Sequence, residues 1–160
     1  MKKLSILASI LILIMASCTK SSMAPSSTAL KASTIDAVST SKKSNFELLT
    51  AHKWLYVGYY FNYIDSSNKG QLVYRRGRNY NSFDLDRNRV TFNPDGTVDE
   101  IDQNGNYIPG TWHFTNNEQT AMVVTNEFGD HPSTIDFLSC IKFEWTGYDV
   151  HTHGIMAPAK

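Results

Sequence analysis

The chain has 160 residues, 15 basic and 15 acidic, and a formal net charge of zero. That balance gives no electrostatic footprint for nucleic acid, and two cysteines are too few for a disulfide-held miniature scaffold. No Ser-His-Asp order, Gly-rich phosphate loop or zinc-protease helix occurs, so no enzyme activity and no cofactor is expected.

The first element is a leader. Lys2 and Lys3 precede an apolar run from Leu4 to Ile14, then Met15-Ala16-Ser17-Cys18. A basic start, a short apolar stretch and small residues before a cut make a secretory signal over residues 1–17. The run is shorter than the ~20 residues a membrane-spanning helix needs. Cys18 directly after Ala16-Ser17 resembles the bacterial lipobox, with Met15 where Leu is usual. The resemblance implies cleavage before Cys18 and a lipid on its sulfur. The expected location is the bacterial cell envelope, at the outer membrane rather than the inner, with the membrane as partner through that lipid. Removing residues 1–17 leaves 143 residues, with 13 basic against 15 acidic. With Cys18 lipidated, Cys140 would be the remaining thiol, read as a small apolar filler.

Residues 18–45 form the tether. From Thr19 to about Ser44 the chain is rich in Ser, Thr, Ala and Lys, too polar to offset its ordering entropy. As a flexible coil its reach is on the order of 30 Å. A short amphipathic helix around Thr28 to Val38 is the competing reading.

The domain is expected over residues 46–150 and is almost all β. Leu48 to His52 forms one helical turn. Trp54 to Tyr63 has the aromatic and β-branched composition of a strand, with apolar groups on both faces and Gly58 in its middle permitting a bend or bulge. Gln71 to Arg76 is a short strand, and Gly77 to Asp86 a polar loop. Arg89 to Phe92 and Thr97 to Asp102 are strands joined by Asn93-Pro94-Asp95-Gly96, with Pro94 and Gly96 suited to a tight turn. Asn104-Gly105 turns the chain into Tyr107 to Thr115, where Pro109 and Gly110 favour a bulge or an edge. Asn116-Asn117 leads into Gln119 to Thr125. Gly129-Asp130-His131-Pro132 reads as a turn before Thr134 to Trp145, one strand or two meeting near Ser139. There Ile135, Phe137, Ile141, Phe143 and Trp145 share one parity. Residues 151–160 read as a mobile tail. Strands in sequence order with tight turns describe an antiparallel meander of about eight strands closing into an up-and-down barrel, with a β-sandwich as the alternative.

Three motifs carry a family resemblance. Lys53-Trp54-Leu55-Tyr56, then Thr91-Phe92-Asn93-Pro94-Asp95-Gly96-Thr97, then Gly110-Thr111-Trp112-His113-Phe114 resemble the lipocalin-like domain of bacterial lipoproteins. His52 stands where that family often has Gly. The resemblance implies a small barrel, with Trp54, Tyr56, Trp112 and Phe114 facing inward and Phe92 joining them. These rings either line a pocket or fill it.

Other constellations are weaker. His151-Thr152-His153 has a metal-compatible spacing but only Asp149 nearby as a further ligand, so no metal is expected. His52, His113 and His131 are isolated. Asp95, Asp99, Glu100 and Asp102 fit turns rather than a calcium loop. All five arginines lie between Arg75 and Arg89. The expected function is a binding module for a small apolar ligand, held by Trp54, Tyr56, Tyr60, Phe92, Trp112 and Phe114. In this reading Arg75, Arg76 and Arg78 select an anionic head group, and the connection Asp65 to Asn88 forms a lid. The alternative is a solid barrel acting as a structural or interaction module for a protein or glycan.

Overall fold

Turn chemistry divides the domain into short antiparallel strands, and a computed structural model describes residues 42–148 and 151–160. The expected signal, the Cys18 lipid site and most of the tether fall outside those residues. Ser44 caps the helix α1 (Asn45–Thr50) through a capping box with Glu47. Nine strands follow. They are β1 (Lys53–Phe61), β2 (Gln71–Arg75), β3 (Arg89–Phe92), β4 (Thr97–Ile101), β5 (Tyr107–Phe114), β6 (Ala121–Asn126), β7 (Gly129–Leu138), β8 (Phe143–Gly147) and β9 (Thr152–Pro158).

The turns work through their polar side chains. Asp95 Oδ1 accepts from the Thr97 amide at 2.9 Å, and Gly96 takes φ 85°, which closes the β3–β4 hairpin. Asp102 Oδ1 accepts from the amides of Asn104 and Asn106, each at 2.8 Å, at the β4–β5 turn. Both carboxylates therefore build turns, as the sequence pattern implies.

The sheet runs β2-β1-β3-β4-β5-β6-β7-β8-β9, and β9 also pairs with β1. That last pairing closes eight strands, β1 and β3 to β9, into an antiparallel barrel. β2 and β3 lie end to end along one edge of β1: Arg75 stands opposite Gly58 and Arg89 opposite Leu55. The segment 76–88 is thus a long insertion in what is otherwise one strand-length ribbon.

Two bulges set which side chains face inward. On β1 the register against β9 slips between Tyr56 and Gly58, and on β7 it slips between Ile135 and Phe137. An extra residue moves every later side chain to the opposite face. After Trp54 and Tyr56, the inward set continues with Tyr59 rather than Tyr60. On β7, Ile135 is buried while Phe137 and Ile141 are exposed, so the single parity expected from Ile135 to Trp145 does not hold. The chain makes two strands there, turning at 139–142.

Three further expectations are corrected. Gly129 to Pro132 is the start of β7, and the turn sits at Glu127-Phe128. No free cysteine occurs among the described residues, so Cys140 is not the lone thiol expected. Residues 151–160 are not a mobile tail: β9 pairs with β8 over Thr152 to Met156 and with β1 from Trp54–Pro158 to Tyr60–His153. Gly154, Ala157 and Pro158 disguise β9 in the sequence. Yet Thr152, Gly154 and Met156 are all buried, with Gly154 and Gly147 clearing room for the Trp145 indole.

α1 packs into one end of the barrel. Its Leu49 is fully buried and accepts a hydrogen bond at its carbonyl from Trp54 Nε1 at 2.9 Å. Phe46 stacks on Trp112 at 5.8 Å, and Asn45 Nδ2 donates to the Gln119 carbonyl at 2.8 Å. A β-carbon at Gly154 would overlap the Trp145 indole, whereas one at Gly58 would meet Ile155 at an ordinary 3.5 Å. Gly154→Ala is therefore expected to cost about 1–3 kcal/mol by overpacking. Gly58→Ala is expected to stay within about 1 kcal/mol of the parent. Urea unfolding of both variants checks the contrast.

Candidate functional site

The packed end of the barrel leaves the other end hollow. A cavity of about 510 Å³ opens there, lined by inward residues of β1, β3 to β9 and the β6–β7 turn. Its apolar wall comes from Val90, Phe92, Ile108, Met122, Val124, Phe143 and Met156. Asn126, Phe128, Asp130 and His131 stand around the mouth, and Phe128 is exposed there.

One wall is aromatic. The rings of Tyr56 and Tyr59 meet edge to face at 5.6 Å, and Trp145 lies 6.5 Å from the first and 6.1 Å from the second. Trp145 lies where it does because Gly147 and Gly154 carry no side chain beneath it. Burial raises the Tyr59 hydroxyl, and the Thr152 side chain beside it offsets part of that rise.

Glu100 is the unusual member of the lining. On β4 it shares the inward parity of Val98, and its strand partners are Val90 and Ile108. Burial first, and the Asp102 carboxylate second, hold its carboxyl above the ordinary value. Its negative charge also contributes, after burial, to raising the Tyr56 and Tyr59 hydroxyls. Among the described residues it makes no ion pair, and no lysine or arginine lines the cavity. A desolvated carboxylate without a cation is costly, so its placement here distinguishes it from Asp95, Asp99 and Asp102, which are all tied into hydrogen bonds.

Of the residues expected to bind ligand, Tyr56 and Phe92 line the cavity. Trp54, Trp112 and Phe114 pack into the closed end instead. Trp54 meets Phe143, and Trp112 sits against Phe92 and Phe114. Trp112 also donates from Nε1 to the Asn93 carbonyl at 3.0 Å. Tyr60 packs against Tyr63 and His153 and lines no part of the cavity. Trp145 faces inward on the expected parity but was not among the residues expected to bind ligand. Sequence reasoning missed Tyr59, because periodicity does not say that a bulge permitted by Gly58 forms there. It also missed Glu100, although Glu100 lies two residues from Val98 on an apolar parity, and that signal was available.

The arginines stand elsewhere. Arg76 Nε donates to the Tyr56 carbonyl at 2.7 Å, and its other nitrogens reach the carbonyls of Asp86 at 3.2 Å and Leu85 at 3.4 Å. The Tyr74 hydroxyl donates to Asp86 Oδ1 at 2.6 Å, which pins the same segment. Arg75 and Arg78 are exposed, and neither lines the cavity. The expected lid is in fact two connections, 62–70 and 76–88, separated by β2.

A second polar cluster braces β7, β8 and β9. Asp136, the bulged residue of β7, accepts from Thr146 Oγ1 at 2.6 Å and faces His153 Nδ1 at 3.3 Å. Tyr63 stacks on the His153 ring at 4.2 Å.

No protein-family model matches the chain, and no curated protein matches its sequence. A solved structure of a lipocalin-like protein from Bacteroides uniformis is similar at 14% identity and TM-score 0.48, covering 69% of this chain and 98% of that one. The barrel itself stands on the strand pairing above.

Glu100 makes a pH-dependent contribution with a definite sign. Its folded-state carboxyl binds a proton more tightly than the unfolded one, so stability falls as pH rises through that raised value. Glu100→Gln removes the half-buried charge and is expected to be more stable than the parent at pH 7. The difference should close below about 4.5, the ordinary value for the group. Urea unfolding at pH 7 and pH 4 reads it directly.

Proposed function

We propose that this chain is a lipid-anchored protein of the bacterial cell envelope whose barrel captures a small, largely apolar molecule. The cavity supports this reading most directly. At about 510 Å³, closed at one end by α1 and open at the other, it falls inside the ~300–1,000 Å³ range of pockets that enclose small ligands. Its wall is aliphatic and aromatic, so burial would drive binding at roughly 25 cal/mol per Å². Ser133, Thr152 and the tyrosine hydroxyls supply the few polar groups that fix orientation.

The hollow interior weighs against a solid barrel that works through its outer surface. The leader pattern before Cys18 supports the anchor, and the polar composition of 19–44 supports a tether that lets the mouth sample a nearby bilayer. Capture without chemistry is the reading we adopt.

Native mass spectrometry of protein purified from its own host should show a bound small molecule on the parent. Val124→Trp, which places an indole in the cavity, should lose that mass while keeping the parent's circular dichroism. A parent without bound mass that also binds no apolar probe would overturn the reading. Cys18→Ala should lose metabolic palmitate label and leave the membrane fraction. Intact mass gives a further check. The sequence holds two cysteines, so lipid on the Cys18 sulfur and an intrachain disulfide at Cys140 exclude each other.

A further inference from the structure

We propose that the cavity selects apolar ligands carrying a protonated amine, which would seat against the Glu100 carboxylate and the Tyr56, Tyr59 and Trp145 rings. This rests on the ligand-capture reading above and adds the chemical class of ligand.

Charge decides the class. Among the titratable groups that line the cavity, Glu100 and Asp130 are acidic, Tyr56 and Tyr59 are neutral phenols, and His131 stands at the mouth. Asp130 is occupied by the Thr125 hydroxyl at 2.7 Å, and His131 Nε2 lies 3.1 Å from Asn126 Oδ1. Glu100 alone has its carboxylate inside the apolar wall with no hydrogen-bonding or cationic partner among the described residues. An incoming ammonium supplies both at once.

The rings that line the same cavity as Glu100 favour the same occupant. Aromatic faces attract a cation within about 6 Å, and the attraction grows when water is excluded. Tyr56, Tyr59 and Trp145 form a cluster with centroids 5.6 to 6.5 Å apart in this wall. An anionic head group meets the opposite arrangement. It would enter a cavity with two carboxylates and no guanidinium, since Arg76 is tied to the backbone of 85–86 and of Tyr56. The anionic selection expected from the arginine cluster is therefore replaced by cationic selection from Glu100.

The test uses three probes of equal chain length, octylamine, octan-1-ol and octanoate, titrated calorimetrically into the purified protein at pH 7. Octylamine should bind about tenfold or more tighter than octan-1-ol, and octanoate weakest. Glu100→Gln should bring octylamine down to about the affinity the same variant shows for octan-1-ol. The parent binding octan-1-ol with no preference for the amine would overturn this inference and leave ligand capture standing. An amine preference that survives in Glu100→Gln would overturn it as well. Absence of binding by all three probes would overturn both. Because Glu100→Gln relieves a half-buried, unpaired charge, the variant is expected to fold, and its urea midpoint confirms that before titration.

Discussion

The backbone of β1 is the part on which the rest depends. A strand has two edges, and each unpaired edge is a row of unsatisfied donors and acceptors. β1 satisfies one edge with β9 and shares the other between β3 at its start and β2 at its end. Without β9, both β1 and β8 would present open edges, and the meander would be a curled sheet rather than a closed wall. Closure is what creates an inside. The cavity, the burial of Trp54 and the desolvation of Glu100 all follow from a hydrogen-bond ladder made by the last residues of the chain.

The meander itself was legible because it is written in local chemistry. Asn93-Pro94-Asp95-Gly96 and Asp102 to Asn106 specify turns through carboxylates that accept nearby amides, whatever the distant chain does. The closing strand was illegible for a complementary reason. Gly154, Ala157 and Pro158 have poor strand propensity, and Gly154 is needed because an indole from β8 occupies the space above it. Its fitness appears only when Trp145 is in place. The bulges are a third case. Gly58 permits the β1 bulge and nothing in composition marks the one at Asp136, yet each single extra residue decides a face: it exchanges Tyr60 for Tyr59 and turns Phe137 outward. Parity arguments reached the right strands but put Tyr60 and Phe137 on the wrong face, while Phe143 and Trp145 face inward as that parity implies.

Within the site, aromatic count misled where charge parity would have guided. The conspicuous tryptophans, Trp54 and Trp112, use their indole nitrogens to tie the closed end to Leu49 and Asn93. They make the floor rigid and thereby keep it filled. Glu100 was passed over as one acid among four in a hairpin. The other three belong to turns or to the Asn93 and Tyr107 contacts of Asp99, so the cluster is not a unit. Its one inward member stands alone against Val90 and Ile108. A wall built for stability alone would place an apolar residue there, since an uncompensated, half-buried charge opposes folding. Local conflict with the folding rule is what marks the position as a candidate for function.

The arginine cluster closes the argument from outside the barrel. Between Arg75 and Arg89 the second ribbon leaves the edge of β1, and the Tyr56 carbonyl would face outward without a strand donor. Arg76 supplies that donor from its side chain, while its amide reaches the Val57 carbonyl at 3.1 Å. The same guanidinium holds the carbonyls of Leu85 and Asp86, so the excursion is fastened where it departs and where it returns. Tyr56 is also the ring that meets Tyr59 and Trp145 across the cavity wall. A cation on the outer edge therefore fixes the backbone of a residue whose side chain works inside. That coupling places Arg76 in the architecture of the site without touching its contents.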